Sequence, residues 1–257
     1  MNNKITAIIP SRFGSKRFEG KPLAFVSGKP MIQRVYEQAI KAKNIAKVVV
    51  ATDDEKIFKA VESFGGEAIL TDSSLRSGTD RVAQAANILK LQLNDIVVNI
   101  QGDQPIFNPI CIDQMVEPFR VNSELLMSTL ACKILNPKEI TDPKDVKVVI
   151  DKNGYALYFS RSQIPFPRDA KDHIGYNEVE YYKHLGFYAY KKSFLDTVAA
   201  LEEGYLERVE KLEQLRVIEH GYKICVVTTE HDSPEVDTPE DIERIEKLDL
   251  TILLNGV

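Results

Sequence analysis

Ile5-Thr6-Ala7-Ile8-Ile9-Pro10-Ser11-Arg12-Phe13-Gly14-Ser15-Lys16-Arg17-Phe18-Glu19-Gly20-Lys21-Pro22-Leu23 decides how the rest of the chain is read. Ile5 to Ile9 is apolar or β-branched throughout and stops at Pro10. An unbroken apolar run suits a strand covered on both faces, and such strands belong to parallel sheets. A cationic loop follows. Arg12, Lys16, Arg17 and Lys21 fall within ten residues, against one acid, Glu19. Ligands of open parallel sheets bind beyond the carboxyl ends of strands. A basic loop in that place is a candidate cradle for phosphates. By composition alone it equally suits a solvated loop, and neither G-x-G-x-x-G nor G-x-x-x-x-G-K-[ST] is present.

Working outward, short β-type runs alternate with helical periodicity. Met31, Val35, Ala39 and Ala42 have helical spacing, Val48-Val49-Val50 reads as a strand, and Ile57, Val61 and Phe64 as a helix ended by Gly65-Gly66. Ala68-Ile69-Leu70 is a third strand, Val82, Ala86 and Leu89 mark a helix after Thr79, and Ile96 to Ile100 is a fourth strand. The alternation predicts βαβ units, and so an α/β fold with a mostly parallel sheet flanked by helices. After about residue 125 the pattern changes. Val146 to Ile150, Ala156 to Phe159 and Leu185 to Tyr190 read as strands with few helices between them. Residues 165–184 read as a long loop, followed by a helix at 207–219, a strand at 223–229 and a helix at 238–248. We expect one domain over 1–249, an antiparallel insertion at about 125–190 that forms a dimer contact, and a tail at 250–257.

The 257 residues are 44% apolar and 28% charged, enough to bury a core. The net charge of −5, from 33 basic and 38 acidic residues, lacks the basic footprint of a nucleic-acid binder. Cys111, Cys132 and Cys225 are too few and too scattered for a disulfide framework or a zinc site, and reduced thiols fit a cytoplasmic protein. No apolar run approaches the length of a membrane span.

Two further strand ends carry chemistry. Gln101-Gly102-Asp103-Gln104-Pro105 follows the fourth strand, where a carboxylate can hold Mg²⁺ beside substrate phosphates. An isolated Asp in such a place is also a common turn residue. In Val236-Asp237-Thr238-Pro239-Glu240-Asp241, Thr238 can cap a helix with Pro239 at its first position and Asp241 reaching back. Asp237 precedes the cap and is a candidate second ligand.

These motifs, taken with Gly28-Lys29-Pro30-Met31-Ile32, Thr52-Asp53-Asp54, Ser77-Gly78-Thr79-Asp80-Arg81, Ala156 to Arg161 and Leu212-Glu213-Gln214-Leu215-Arg216, resemble the 3-deoxy-manno-octulosonate cytidylyltransferases over roughly residues 4–248. The resemblance implies transfer of CMP from CTP to an acidic eight-carbon sugar with release of pyrophosphate, for lipopolysaccharide synthesis, by a homodimer. Carried over by motif, Arg12, Ser15, Arg17 and Lys21 contact the triphosphate. Ser77, Gly78, Thr79 and Gln101 surround cytosine and ribose. Asp103 and Asp237 hold Mg²⁺, and Arg161, His184, Glu213 and Gln214 face the sugar acid. Arg12, Lys21, Asp103 and Asp237 make up the catalytic set. The bland reading of Glu213 and Gln214 is a solvated helix face opposite Leu212, Leu215 and Ile218.

Departures from the common pattern bear on the sugar. Gln104 stands where the family has Glu, Glu19 where it has Pro, and Leu75-Arg76 where it has His before Ser-Gly-Thr. With Tyr182-Lys183-His184-Leu185-Gly186 and Asp232 to Asp237, they resemble a branch that activates the 8-amino-3,8-dideoxy sugar. An 8-ammonium needs carboxylate or carbonyl partners, for which Asp169, Glu178 and Glu180 are candidates. The alternatives are a sialic-acid-type cytidylyltransferase and a non-catalytic CTP sensor.

Overall fold

β1 (Ile5–Ser11) lies at the centre of a parallel set in the computed structural model of the protein, which describes residues 3–14, 18–170 and 174–247. After the basic loop, a 3₁₀ turn at Lys21–Leu23 and a hairpin of β2 (Phe25–Val26) and β3 (Lys29–Pro30) lead into α1 (Met31–Ala39). Then come β4 (Lys47–Thr52), α2 (Glu55–Ser63), β5 (Ala68–Leu70), α3 (Gly78–Ile88) and β6 (Ile96–Asn99). β1 pairs in parallel with β4 and β6, and β4 with β5, as the alternation of the first hundred residues predicts.

The second half contributes α4 (Ile110–Val116), α5 (Pro118–Val121), β7 (Met127–Lys133), α6 (Pro137–Thr141), β8 (Lys147–Ile150), β9 (Ala156–Ser160) and β10 (Tyr182–Lys191). α7 (Lys192–Ala200), α8 (Tyr205–Glu210), α9 (Gln214–Glu219), β11 (Cys225–Thr229) and α10 (Pro239–Glu246) complete it. The sheet runs β11-β7-β10-β6-β1-β4-β5. β10 is antiparallel to both neighbours, while β11 and β7 are parallel.

The stretch 125–190 holds the antiparallel part of the sheet, with its strands divided between two places. β7 and β10 sit inside the main sheet, and only the β8–β9 hairpin stands off it, on the first residues of β10. Local sequence cannot tell the two apart, because a buried antiparallel strand has the same apolar run as an inserted one. The helix read over 207–219 is two helices, separated where Lys211 adopts φ 55°. His184 lies within β10 and not ahead of it.

The sheet is covered on both faces. Ile32, Val35 and Ala39 of α1, Ile57 and Val61 of α2, and Ile112 and Met115 of α4 pack one face. Val82 and Ala86 of α3, Phe194 and Leu195 of α7 and Leu215 of α9 pack the other. Each fully buried Ile, Leu or Val contributes about 1.5–3 kcal/mol, so the strands are held rigidly and their ends are fixed platforms for loops.

Candidate active site

The loops at the carboxyl ends of β1 and β6 and the start of α3 enclose a cleft of about 280 Å³. Its lining includes Ser11, Arg12, Lys21, Arg76, Ser77, Gly78, Arg81, Gln101, Asp103 and Asp237. Gly102 makes the close approach of β1 and the β6 loop feasible, since a Cβ there would lie 3.1 Å from the Pro10 carbonyl.

The two acids are brought together by backbone and by one cation. The Val236 N–H donates to the Asp103 carbonyl at 2.9 Å, which ties the 236–237 segment to the β6 loop. Lys21 Nζ donates to Asp103 Oδ2 at 2.7 Å and to the Val236 carbonyl at 2.9 Å, and lies 3.7 Å from Asp237 Oδ1. Thr238 and Asp241 form the capping box read from sequence, and Asp241 Oδ2 also accepts from the Asp237 N–H at 2.9 Å, which fixes the backbone of the second acid.

The opposite wall is the amino end of α3. Ser77 caps the helix, accepting from the Asp80 N–H at 3.1 Å while Asp80 reaches back. Free N–H groups and the helix dipole there favour an anion. Arg81 of that helix is buried and donates to Asp53 Oδ2 at 2.8 Å and to the Thr71 hydroxyl. Arg81 and Asp53 stand in quoted motifs, yet no role was read for them. Their spacing of 28 residues conceals that β4 and α3 converge.

On the sugar side predicted from sequence, His184 is buried and packs against Phe159 and Tyr188, with ring centroids at 4.8 Å and 5.4 Å. Its Nε2 lies 2.9 Å from Thr129 Oγ1, and that hydroxyl donates to the Phe187 carbonyl at 2.6 Å. The hydroxyl proton is therefore engaged, so Nε2 carries the hydrogen and donates to Thr129. Burial pushes the His184 pKa down to about 3, so the ring is neutral at pH 7.

Thr79 is buried, and its hydroxyl donates to Glu213 Oε2 at 3.0 Å. Desolvation by the surrounding protein raises the Glu213 carboxyl, against hydrogen bonds from Ser77 and Thr79. The solvated-surface reading of Glu213 and Gln214 is overturned. Gln214 is buried, and its Nε2 and Glu213 Oε1 have no hydrogen-bond partner. α9 begins at this pair, so its first turn faces inward.

Arg161 does not line the cleft. Its guanidinium donates to the Glu210 and Pro143 carbonyls, both at 2.8 Å. Ser15, Arg17 and the tail beyond residue 249 lie outside the described residues. The three loop acids considered for an 8-ammonium do not converge. Glu178 is exposed, Asp169 is solvated beside Arg168, and Glu180 pairs with Lys133 at 2.7 Å.

Sequence reading missed Glu235. It is exposed, and desolvation together with Asp103 and Asp237 pushes its carboxyl up to about 7. It accepts from Gln104 Nε2 at 3.1 Å.

Residues 6–224 match the family model described as cytidylyltransferase. This chain belongs to the cytidylyltransferases. It is 56% identical over 245 residues, 95% of this chain and 98% of the relative, to the 3-deoxy-manno-octulosonate cytidylyltransferase of Desulfatibacillum aliphaticivorans. It is 53% identical over 243 residues, 94% of this chain and 97% of the relative, to the 8-amino-3,8-dideoxy-manno-octulosonate cytidylyltransferase of Shewanella woodyi. A solved CMP:2-keto-3-deoxy-manno-octonic acid synthetase complexed with CTP superposes with a TM-score of 0.87 at 40% identity, covering 95% of this cytidylyltransferase and 97% of that chain. Among the described residues no helix is long and apolar enough to cross a membrane.

Proposed function

We propose that the cytidylyltransferase moves CMP from CTP to a 3-deoxy-octulosonate, with release of pyrophosphate, through Mg²⁺ held by Asp103 and Asp237. The observation that carries this is the meeting of both acids on Lys21 Nζ at the mouth of a cleft walled by the α3 amino end. The donor set fits the ion. Among the described residues no group of three His, Cys, Asp or Glu forms a closed metal cage. Mg²⁺ needs only one or two protein carboxylates beside phosphates and water. Bound there, it would neutralise phosphate charge and acidify the attacking hydroxyl.

The protein's own groups position and stabilise. Lys21 and Arg12 face the charge that builds on the leaving pyrophosphate, and Ser77, Gly78 and Thr79 at the start of α3, with Gln101, surround the cytosine and ribose. The sugar hydroxyl forms its bond to the α-phosphorus as the bridging oxygen departs with its electron pair. His184, neutral and tethered to Thr129, offers shape and orientation and no positive charge. Glu213 and Gln214, held behind Thr79 at the start of α3, supply polar contacts on the sugar side.

A homodimer in a cytoplasm that supplies CTP completes the reading, supported by the exposed apolar side chains of Leu157, on β9, and Phe166, in the segment that follows it. The experiment is pyrophosphate release from CTP, Mg²⁺ and each octulosonate, with sedimentation for the dimer. Binding of CTP without pyrophosphate release from either sugar would leave the sensor reading in its place.

A further inference from the structure

Gln104 and Glu235 form a pair that the transfer step above does not use. Gln104 is fully buried. Its Nε2 donates to the Leu185 carbonyl at 2.8 Å and to Glu235 Oε1 at 3.1 Å, so both amide hydrogens are engaged. The amide cannot be reversed, because its oxygen would then meet two acceptors. Gln104 Oε1, at the other end of that amide, is buried and has no hydrogen-bond partner. Across from it, β10 breaks register between His184 and Tyr188, and Gly186 adopts φ 74°. This turn brings the Leu185 and Gly186 carbonyls to Gln104 and Gln101. A methyl on Gly186 would lie 3.9 Å from Glu235 Oε1.

The place therefore holds acceptors in excess: the Glu235 carboxylate, Gln104 Oε1 and two carbonyls that each keep a second lone pair. Donors are in short supply. Lys21, the near cation, is committed to Asp103, Val236 and Asp237. Tyr188 ties this place to the sugar side, since its hydroxyl feels both Glu213 and Glu235 and its ring stacks obliquely on His184. An open carboxylate beside an orphaned amide oxygen suits a group with several N–H donors and a positive charge. A hydroxyl brings one donor and no charge.

We infer that Glu235, braced by Gln104, recognises the ammonium of an amino-bearing octulosonate, which makes the 8-amino-3,8-dideoxy sugar the preferred acceptor. The inference rests on the cytidylyl-transfer reading and adds the residue that discriminates between its two sugars. Glu235 is a specificity residue and takes no part in bond making. The Gln104→Glu change would set a second carboxylate against Glu235 and cost it the brace.

The test is kcat/KM for pyrophosphate release by the full chain with CTP, Mg²⁺ and either the 8-amino or the 8-hydroxy sugar. The unsubstituted protein is expected to favour the amino sugar by about 10- to 100-fold, the worth of a hydrogen-bonded charge. In Glu235→Gln that ratio falls toward one, chiefly through a higher KM for the amino sugar. Calorimetric binding of CTP shows that the variant is folded. The inference is overturned if the unsubstituted protein favours the hydroxy sugar. It is also overturned if Glu235→Gln depresses both sugars equally and shifts the Mg²⁺ requirement, for then the carboxylate serves the metal. Absence of turnover with both sugars in the unsubstituted protein would instead remove the transfer reading itself.

Discussion

Two lysines of this protein each sit among three carboxylates, and only one of the two clusters faces a cleft. Lys21 meets Asp103 and Asp237, with Glu235 close to both acids. Lys183 meets Asp232 at 2.7 Å, Glu139 at 2.9 Å and Asp145 at 3.8 Å. Their side chains are comparably hidden, 15% and 11% exposed. The surroundings differ. The Lys21 cluster stands at the mouth of the cleft, opposite a helix amino end and beside Arg12 and Arg76. The Lys183 cluster is closed by the chain itself. Its acids come from α6, from the turn before β8 and from the segment after β11, so the lysine fastens three pieces of the second half to β10. The neighbouring acids raise the Lys183 pKa, against the cost of burial. A lysine with acids around it is thus a fastener by default and becomes a site where a rigid scaffold leaves room for a ligand.

The largest expected effect separates the two clusters by activity. Asp103→Asn should lower pyrophosphate release about 10²–10³-fold at saturating Mg²⁺ with an unchanged melting temperature. Near-normal turnover would end the functional contrast.

Lys183→Met should do the reverse. It leaves the partly buried Glu139 and Asp145 and the more exposed Asp232 without their cation, and a loss of ~2 kcal/mol is expected in urea unfolding. If turnover per folded molecule falls further than stability, the fastener reading is wrong.

His184, the next residue on β10, sharpens the comparison through pH. Its folded pKa of about 3 lies below the ordinary value near 6.5, so the unfolded chain binds the proton first. The stability it allows is intact above about pH 6.5 and declines as pH falls toward 3. At pH 5 the loss is ~2 kcal/mol for this one group. Urea midpoints at pH 7.5 and 5 should draw closer together in His184→Gln than in the unsubstituted protein.

Gly186→Ala carries the smallest effect. Its methyl meets no atom closer than 3.7 Å, but φ 74° strains any L side chain, by about 1–2 kcal/mol. Calorimetric melting is the check, and a neutral result would show that the β10 bulge relaxes freely.

Much of this is legible in the residues alone. The βαβ half follows from apolar runs, since strands covered on both faces cannot be polar. Lys21, Asp103 and Asp237 were legible as residues that follow strand ends or precede a capped helix. Arg161 was legible as a motif, yet its guanidinium serves two carbonyls. Glu213 and Gln214 were legible as sugar-facing only through their motif, and local pattern equally suited a solvated face; their burial comes from α3, whose Thr79 hydroxyl donates to Glu213. The role of β7 and β10 inside the main sheet was hidden, since pairing partners far apart in sequence leave no local mark.

The sequence alone determined the strand–helix alternation of the first hundred residues, the strand ends that carry Arg12, Lys21 and Asp103, and the capped helix behind Asp237, because these depend on local pattern and on residue type. Only the tertiary structure decided which acids share a cation, which glutamine keeps an unpartnered oxygen and which exposed carboxylate that glutamine braces. Those outcomes depend on distances between segments more than a hundred residues apart, such as Gln104 and Glu235, and no spacing along a chain encodes them.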